Sequence, residues 1–229
     1  MTRRILAAAA LLLAGCTNQG FNPILVEAVN AVNPWDAPDE AAAAKGQPVT
    51  RAAIDKADVA TIRARLVADQ SPTYLFAASN NGGYVTYASS LRQTLTLRGS
   101  QVTASRGLGW DLLSATSSQP DPLTRAIPPG QWPRQVTRSY EFPSITPAGQ
   151  ILSFTCRFEF GDVTEMVILD QRHRGVQVSE TCAGPTGSFE NLHFADVSTG
   201  FVWRTLQWLG PRQGLVDIEI VLPYTGNPR

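Results

Sequence analysis

Residues 151–160 read ILSFTCRFEF. Leu152, Phe154, Cys156, Phe158 and Phe160 fall on one side, and Ser153, Thr155, Arg157 and Glu159 on the other. That period of two is the signature of a strand with one buried and one wet face. Gly161-Asp162 follows and reads as a two-residue hairpin turn, with residues 163–170 returning. Residues 176–182 alternate again, placing Val176, Val178 and Cys182 on one face. Near the end, 201–209 and 215–222 flank the turn GPRQG at 210–214. In the last strand Val216, Ile218, Ile220 and Leu222 oppose Asp217 and Glu219. Strands with one apolar and one solvated face pair antiparallel.

The same alternation extends upstream. Residues 74–79, 84–89, 94–97, 99–102 and 135–142 read as strands, with NNGG at 80–83 a strong turn signal. The Ser/Pro-rich residues 114–134 read as a long loop. Ahead of the strands, Ile54, Ala57 or Asp58, Ile62 and Leu66 recur near helical spacing, with Thr50 as N-cap and Ser71-Pro72 as stop. This spacing predicts one amphipathic helix over 50–68. The fold class is mainly β: an antiparallel sandwich, or a strongly curled sheet or barrel, with one N-terminal amphipathic helix.

The 229 residues are 43% hydrophobic and 17% charged, enough apolar content for a sizeable core. Lys+Arg and Asp+Glu are both 19. That balance excludes a bulk electrostatic case for nucleic-acid binding, which needs a clustered basic face.

The first residues carry a targeting signal. Arg3 and Arg4 precede a nine-residue apolar run at 5–13. Nine helical residues span about 13.5 Å, well short of a ~30 Å hydrocarbon core, so the run reads as an export signal and not a membrane span. Leu13-Ala14-Gly15-Cys16 resembles the bacterial lipobox, in which the Cys is diacylated, the signal is cut before it, and the new amine is acylated. With residues 1–15 removed, Arg3 and Arg4 go too, and the mature balance is 17 minus 19, or −2. Two or more acyl chains hold a protein firmly to a membrane. Thr17 is not the Asp that retains such proteins in the inner membrane, so we expect an outer-membrane anchor, facing the periplasm. Cys16→Ser is expected to leave an unlipidated precursor that takes up no labelled palmitate. The organisation expected is a signal peptide at 1–15, a lipidated Cys and flexible tether at 16–49, broken by Pro23, Pro34, Pro38 and Pro48, and one β-rich domain at 50–229.

Cys156 and Cys182 remain, an even pair in an oxidising compartment, both on the apolar sides of their strands. A disulfide with Cα atoms about 4.4–6.8 Å apart is expected. The alternatives are two buried thiols or a metal site, for which only His173 and His193 supply further nitrogen ligands. Motifs for a serine elbow, a zinc protease, a dithiol or a phosphate loop are missing. No catalytic residue, metal or cofactor is therefore assigned. Carboxylates such as Glu159, Glu165 and Glu180 read as outward-facing. Trp110, Trp132, Trp203 and Trp208 are candidate sugar-stacking surfaces, with a core role the blander reading of each. Arg157 and Arg204 are candidate partners for acidic sugars, because a guanidinium pairs with carboxylate through two bonds.

LFAASN at 75–80, RGLGWDLL at 106–113, WRTLQWLGP at 203–211, Gly214 and Leu222-Pro223 together resemble the group 4 capsule polysaccharide lipoprotein family, GfcB/YjbF-like. The resemblance covers about 50–223. It implies an outer-membrane lipoprotein that assists exopolysaccharide or capsule production or export without catalysis, with polysaccharide and export-machinery proteins as partners. A periplasmic glycan hydrolase and a general envelope interaction module are the alternatives.

Overall fold

The computed structural model describes residues 49–68, 71–144 and 149–226. The signal, Cys16 and the tether lie outside them. A helix, α1 (Arg51–Ala57), is followed by β1 (Thr61–Leu66), β2 (Thr73–Asn81), β3 (Tyr84–Ala88), β4 (Thr94–Arg98), β5 (Gln101–Arg106) and β6 (Ser114–Ser117). Then come β7 (Gln135–Phe142), β8 (Gln150–Ile168), β9 (Gln171–Gly184), β10 (Gly187–Asp196), β11 (Val202–Gly210) and β12 (Gly214–Leu222). The strands form one sheet in the order β5-β4-β3-β2-β1-β12-β11-β10-β9-β8-β7-β6. Every neighbour is consecutive in the chain except β1 and β12, whose antiparallel pairing joins the first strand to the last. The sheet curls into a nearly closed barrel, with its seam between β5 and β6. Of the shapes expected, the curled sheet is the one formed.

Inward side chains pack the interior: Ile62 from β1, Leu97 from β4, Phe142 from β7, Phe154 from β8, Val178 from β9 and Ile218 from β12 are all nearly inaccessible. Trp208 gathers four rings, stacking on Phe189 and meeting Tyr140, Phe142 and Phe154 edge-on. Such pairs add to area burial. Cys156 and Cys182 face each other across β8 and β9 and are bonded. Their Cα atoms are 3.9 Å apart, closer than the range expected from sequence.

Three local expectations need correction. The helix is only Arg51–Ala57. Thr50 Oγ1 accepts from Ala53 N, and Asp58 ends the helix in the left-handed region, donating its N–H to Ile54 O. Residues 61–66 are strand, because TIRARL also alternates at period two. Ile62 and Ala64 turn inward, while Arg63 and Arg65 reach Glu219 and Asp217 across the β1–β12 pair. Helical spacing at Ile54, Ile62 and Leu66 is an accident of two elements in succession. Gly161-Asp162 is not a hairpin turn but an irregularity inside the 19-residue β8. The chain reverses at Leu169-Asp170, with φ of 42° and 68°, as a type I′ turn needs. The segment 114–134 contains β6 and a 3-10 turn at Pro129–Gln131, and it buries Leu123, Ile127 and Trp132.

Candidate functional site

The barrel interior holds a polar chain that links strands across the seam. Arg138 on β7 donates through Nε to Glu180 Oε1 at 2.7 Å and through Nη1 to Asp121 Oδ2 at 2.8 Å. Glu180 Oε2 accepts from Asn191 Nδ2 at 2.7 Å and lies 3.2 Å from His193 Nε2. A carboxylate only accepts, so Nε2 carries the proton between them. His193 Nδ1 meets Thr205 Oγ1 at 2.7 Å, and Gln207 Nε2 donates to the same hydroxyl. Gln207 then spans to β5, taking Val102 N–H and donating to Ser100 O. At the other end, Ser117 on β6 donates to Asp121, and its hydroxyl lies 3.4 Å from Gln101 Oε1 on β5. Where ladder bonds between β5 and β6 are lacking, side chains thus satisfy strand-edge groups. Asp121, Glu180 and His193 are 0% exposed and Arg138 is 1% exposed.

Burial alone would raise the Glu180 pKa. Arg138, then His193 and Asn191, outweigh it and hold the group at about 2. Burial likewise opposes the charge on Arg138, and Glu180 and Asp121 more than restore it. This corrects the reading of Glu180 as outward-facing. The arrangement has His, carboxylate and hydroxyl in line, and all three are 0% exposed. The Cys156 and Cys182 sulfurs sit within 4.8 Å of a Glu180 oxygen, and their bond removes them as metal ligands.

The candidate glycan-contact side chains do not converge. Trp132 is buried, donates Nε1 to Ile127 O and meets Phe158 edge-on. Trp203 is half-buried and lies 3.9 Å from the His173 ring. Trp110 is half-buried under the Arg212 guanidinium, 3.8 Å from the ring centroid. Arg204 is buried on the outer face of the barrel, paired with Asp217 and Glu219. Arg157 is exposed on β8. Trp132 and Arg204 are therefore engaged in structure.

Two loops at one end of the barrel explain the RGLGWDLL stretch. Asp111 accepts from Gly107 N and Leu108 N and from Ser105 Oγ, folding the GLG turn back on β5. Gly107 takes φ of 81°, which a side chain rarely adopts. Gln213 donates to Leu108 O, and Arg212 covers Trp110, so the β11–β12 turn docks on this loop.

At the opposite end lies a groove of about 510 Å³, a feature that strand alternation does not reveal. Asp58 and Val59 after α1, Ala78, Ser79 and Asn80 on β2, and Tyr224 after β12 line it. Asn80 Oδ1 accepts from Gly83 N and fixes the hairpin tip beside the groove. Tyr87 lies beneath; burial, then Tyr224, pushes its hydroxyl up to about 12.

Among the described residues no helix is long and apolar enough to cross a membrane. The crystal structure of the hypothetical lipoprotein YmcC from Escherichia coli (K12) is similar in fold. Its TM-score is 0.67 at 18% identity, over 78% of this chain and 91% of that one. No curated protein matches the sequence. The family model described as group 4 capsule polysaccharide lipoprotein gfcB, YjbF matches residues 25–221, most of the 229-residue chain. That span takes in β1 to β11 and all but the last residue of β12, and the chain belongs to the group 4 capsule polysaccharide lipoprotein family.

Proposed function

We propose that this protein is a non-enzymatic accessory of capsule or exopolysaccharide production or export. It is held at the outer membrane by acyl chains on Cys16 and faces the periplasm. The family match over 25–221 carries the reading, and the lipobox at 13–16 supports the anchor. The non-enzymatic reading is supported by the chemistry of the buried network. Glu180, His193 and Thr205 are the aligned His–carboxylate–hydroxyl set among the described residues, and all three are buried at 0% exposure. A general base must come within hydrogen-bond reach of a substrate proton, and these groups spend their bonds on one another. The protein acts as a rigid scaffold that contacts polysaccharide and export-machinery proteins.

Deleting the protein is expected to lower surface polysaccharide while intracellular precursor synthesis continues. Full-length protein should restore it, and Cys16→Ser should not. Unchanged surface polysaccharide in the deletion strain would overturn the proposal. Purified protein that shortens the polymer would replace it with the hydrolase reading.

A further inference from the structure

We infer that the open edge of β8 is a self-association surface, where it pairs antiparallel with the same edge of a second copy of this chain. The inference is independent of the polysaccharide reading. β7 runs beside β8 no farther than Arg157, while β8 continues to Ile168 with β9 on its other side. Among the described residues no strand takes the free side. Residues 161–167 make no hydrogen bond or ion pair beyond the β9 ladder and the Arg172–Glu165 pair. An edge left open in this way presents a row of backbone N–H and C=O groups to another strand.

The side chains select the occupant. One face of the β8–β9 ribbon carries Met166, Ile168 and His173 and lies against Ile54, Val221 and Trp203. The opposite face carries Val163, Glu165 and Val167, with Val163 51% exposed and Val167 55% exposed. Arg174 and Arg172 stand across from Glu165 and Val167 on β9. Lipid is the wrong cover for this row, because it leaves the backbone groups of the edge without partners. A copy of β8 is the right one. Residues directly opposite in an antiparallel pair share a face. With the two-fold axis at Glu165, Val163 meets Val167 of the second copy twice over, and Thr164 meets Met166. A register shift of two residues sets Val against Glu165 instead. The two Glu165 carboxylates oppose each other at the axis, which costs affinity, but each keeps its own Arg172 and Arg174 beside it. The β9 edge is shorter, and the same two Arg blunt it. So short an interface falls below the ~1,200 Å² of stable complexes, so pairing is reversible and is promoted where copies share one membrane.

The test uses the full chain in the membranes of the cell that makes it. Glu165→Cys is expected to cross-link copy to copy on mild oxidation, since Cα atoms opposite each other lie about 4.5–5.5 Å apart, within disulfide reach. Arg172→Cys, also exposed, stands one strand farther back in each copy and should give no such band. Adding Val163→Glu and Val167→Glu should cut the Glu165→Cys band at least tenfold at unchanged melting temperature, because both positions face solvent in the single chain. Sedimentation equilibrium of the purified full chain in density-matched detergent should show a monomer–dimer equilibrium. Glu165→Gln should tighten it severalfold by removing the like charges at the axis, and the double Glu variant should weaken it at least tenfold. The sedimentation result does not depend on where the chain is anchored, so it fails separately from the reading above. Equal bands from Glu165→Cys and Arg172→Cys, no dimer in either assay, or a dimer weakened by Glu165→Gln overturns the inference. A cross-linked band at a mass other than twice the chain gives the edge to a different protein and also overturns it. So does slow exchange at every amide from 162 to 167 in the double Glu variant, which would assign the edge to residues 17–48 of the same chain.

Discussion

Arg138→Met is expected to destabilise the protein by about 3–5 kcal/mol at neutral pH, because it strands two buried carboxylates without their guanidinium. That is a large share of the ~5–15 kcal/mol that a domain possesses. Urea denaturation of the variant should show a much lower midpoint. The pH dependence then separates this cause from lost packing. In the native protein the Glu180 pKa is about 2, below its ordinary 4.5. A carboxylate whose folded pKa is depressed adds stability above its unfolded pKa and loses it as pH falls through the folded one. Native stability should therefore fall between about pH 4.5 and 2, by on the order of 3 kcal/mol from this group. In Arg138→Met, Glu180 meets burial with less compensation and its pKa moves up. The variant should regain stability on mild acidification, opposite in sign to the native protein. Adding Asp121→Asn and Glu180→Gln to Arg138→Met should recover most of the loss, since the unpaired charge causes it. A variant as stable as the native protein at neutral pH, or with an unchanged pH slope, would refute this account of the network.

That network was partly legible. On β7 the inward parity is Val136, Arg138, Tyr140 and Phe142, and on β9 it is Val176, Val178, Glu180 and Cys182. One Arg and one Glu thus stand at core positions of their own strands. Charged side chains are so seldom buried that Glu180 reads as solvated until its partner is known. The partners lie 17 and 42 residues from Arg138, and no local pattern links them. The strands were legible for the opposite reason: alternation is local, and it located β7, β11 and β12 nearly to the residue. Two kinds of information were not local. The β1–β12 closure brings residues 61–66 against 216–222, and it decides that TIRARL is strand. The groove arises where the end of α1, the tip of β2 and the residues after β12 meet at one rim. Its lining residues form no recognisable sequence pattern of their own, whereas the conspicuous Trp and Arg residues turn out to be largely occupied in packing and ion pairs.

Removing the disulfide by Cys156→Ala with Cys182→Ala is expected to cost about 3.5 kcal/mol in the chain-entropy model for its 26-residue separation. At ~2–4 °C per kcal/mol for a domain of this size, the melting temperature should fall by about 7–14 °C. Alanine is the right replacement, because serine would place a hydroxyl near Glu180 and add a second effect. The location makes the bond matter more than its loop length suggests. β7 covers β8 only as far as Arg157, and β10 covers β9 only from Gly175 onward. Beyond those limits β8 and β9 run on as a two-stranded ribbon, a form that is marginal on its own. The ribbon is held at its far end by Ile168, which packs with Ile54 of α1 and Val221 of β12. Its near end, at the Thr164–Gly175 pair, lies eight residues along β8 from Cys156 and seven along β9 from Cys182. The bond therefore ties β8 to β9 inside the barrel wall from which the ribbon extends, and the α1 contact holds the ribbon's far end. Without the bond, amide exchange should accelerate most at 160–174 and least at β11 and β12, which the network and the β1 pairing still hold. A melting temperature unchanged in the double variant, or faster exchange spread evenly over the barrel, would show that the ribbon does not depend on this bond.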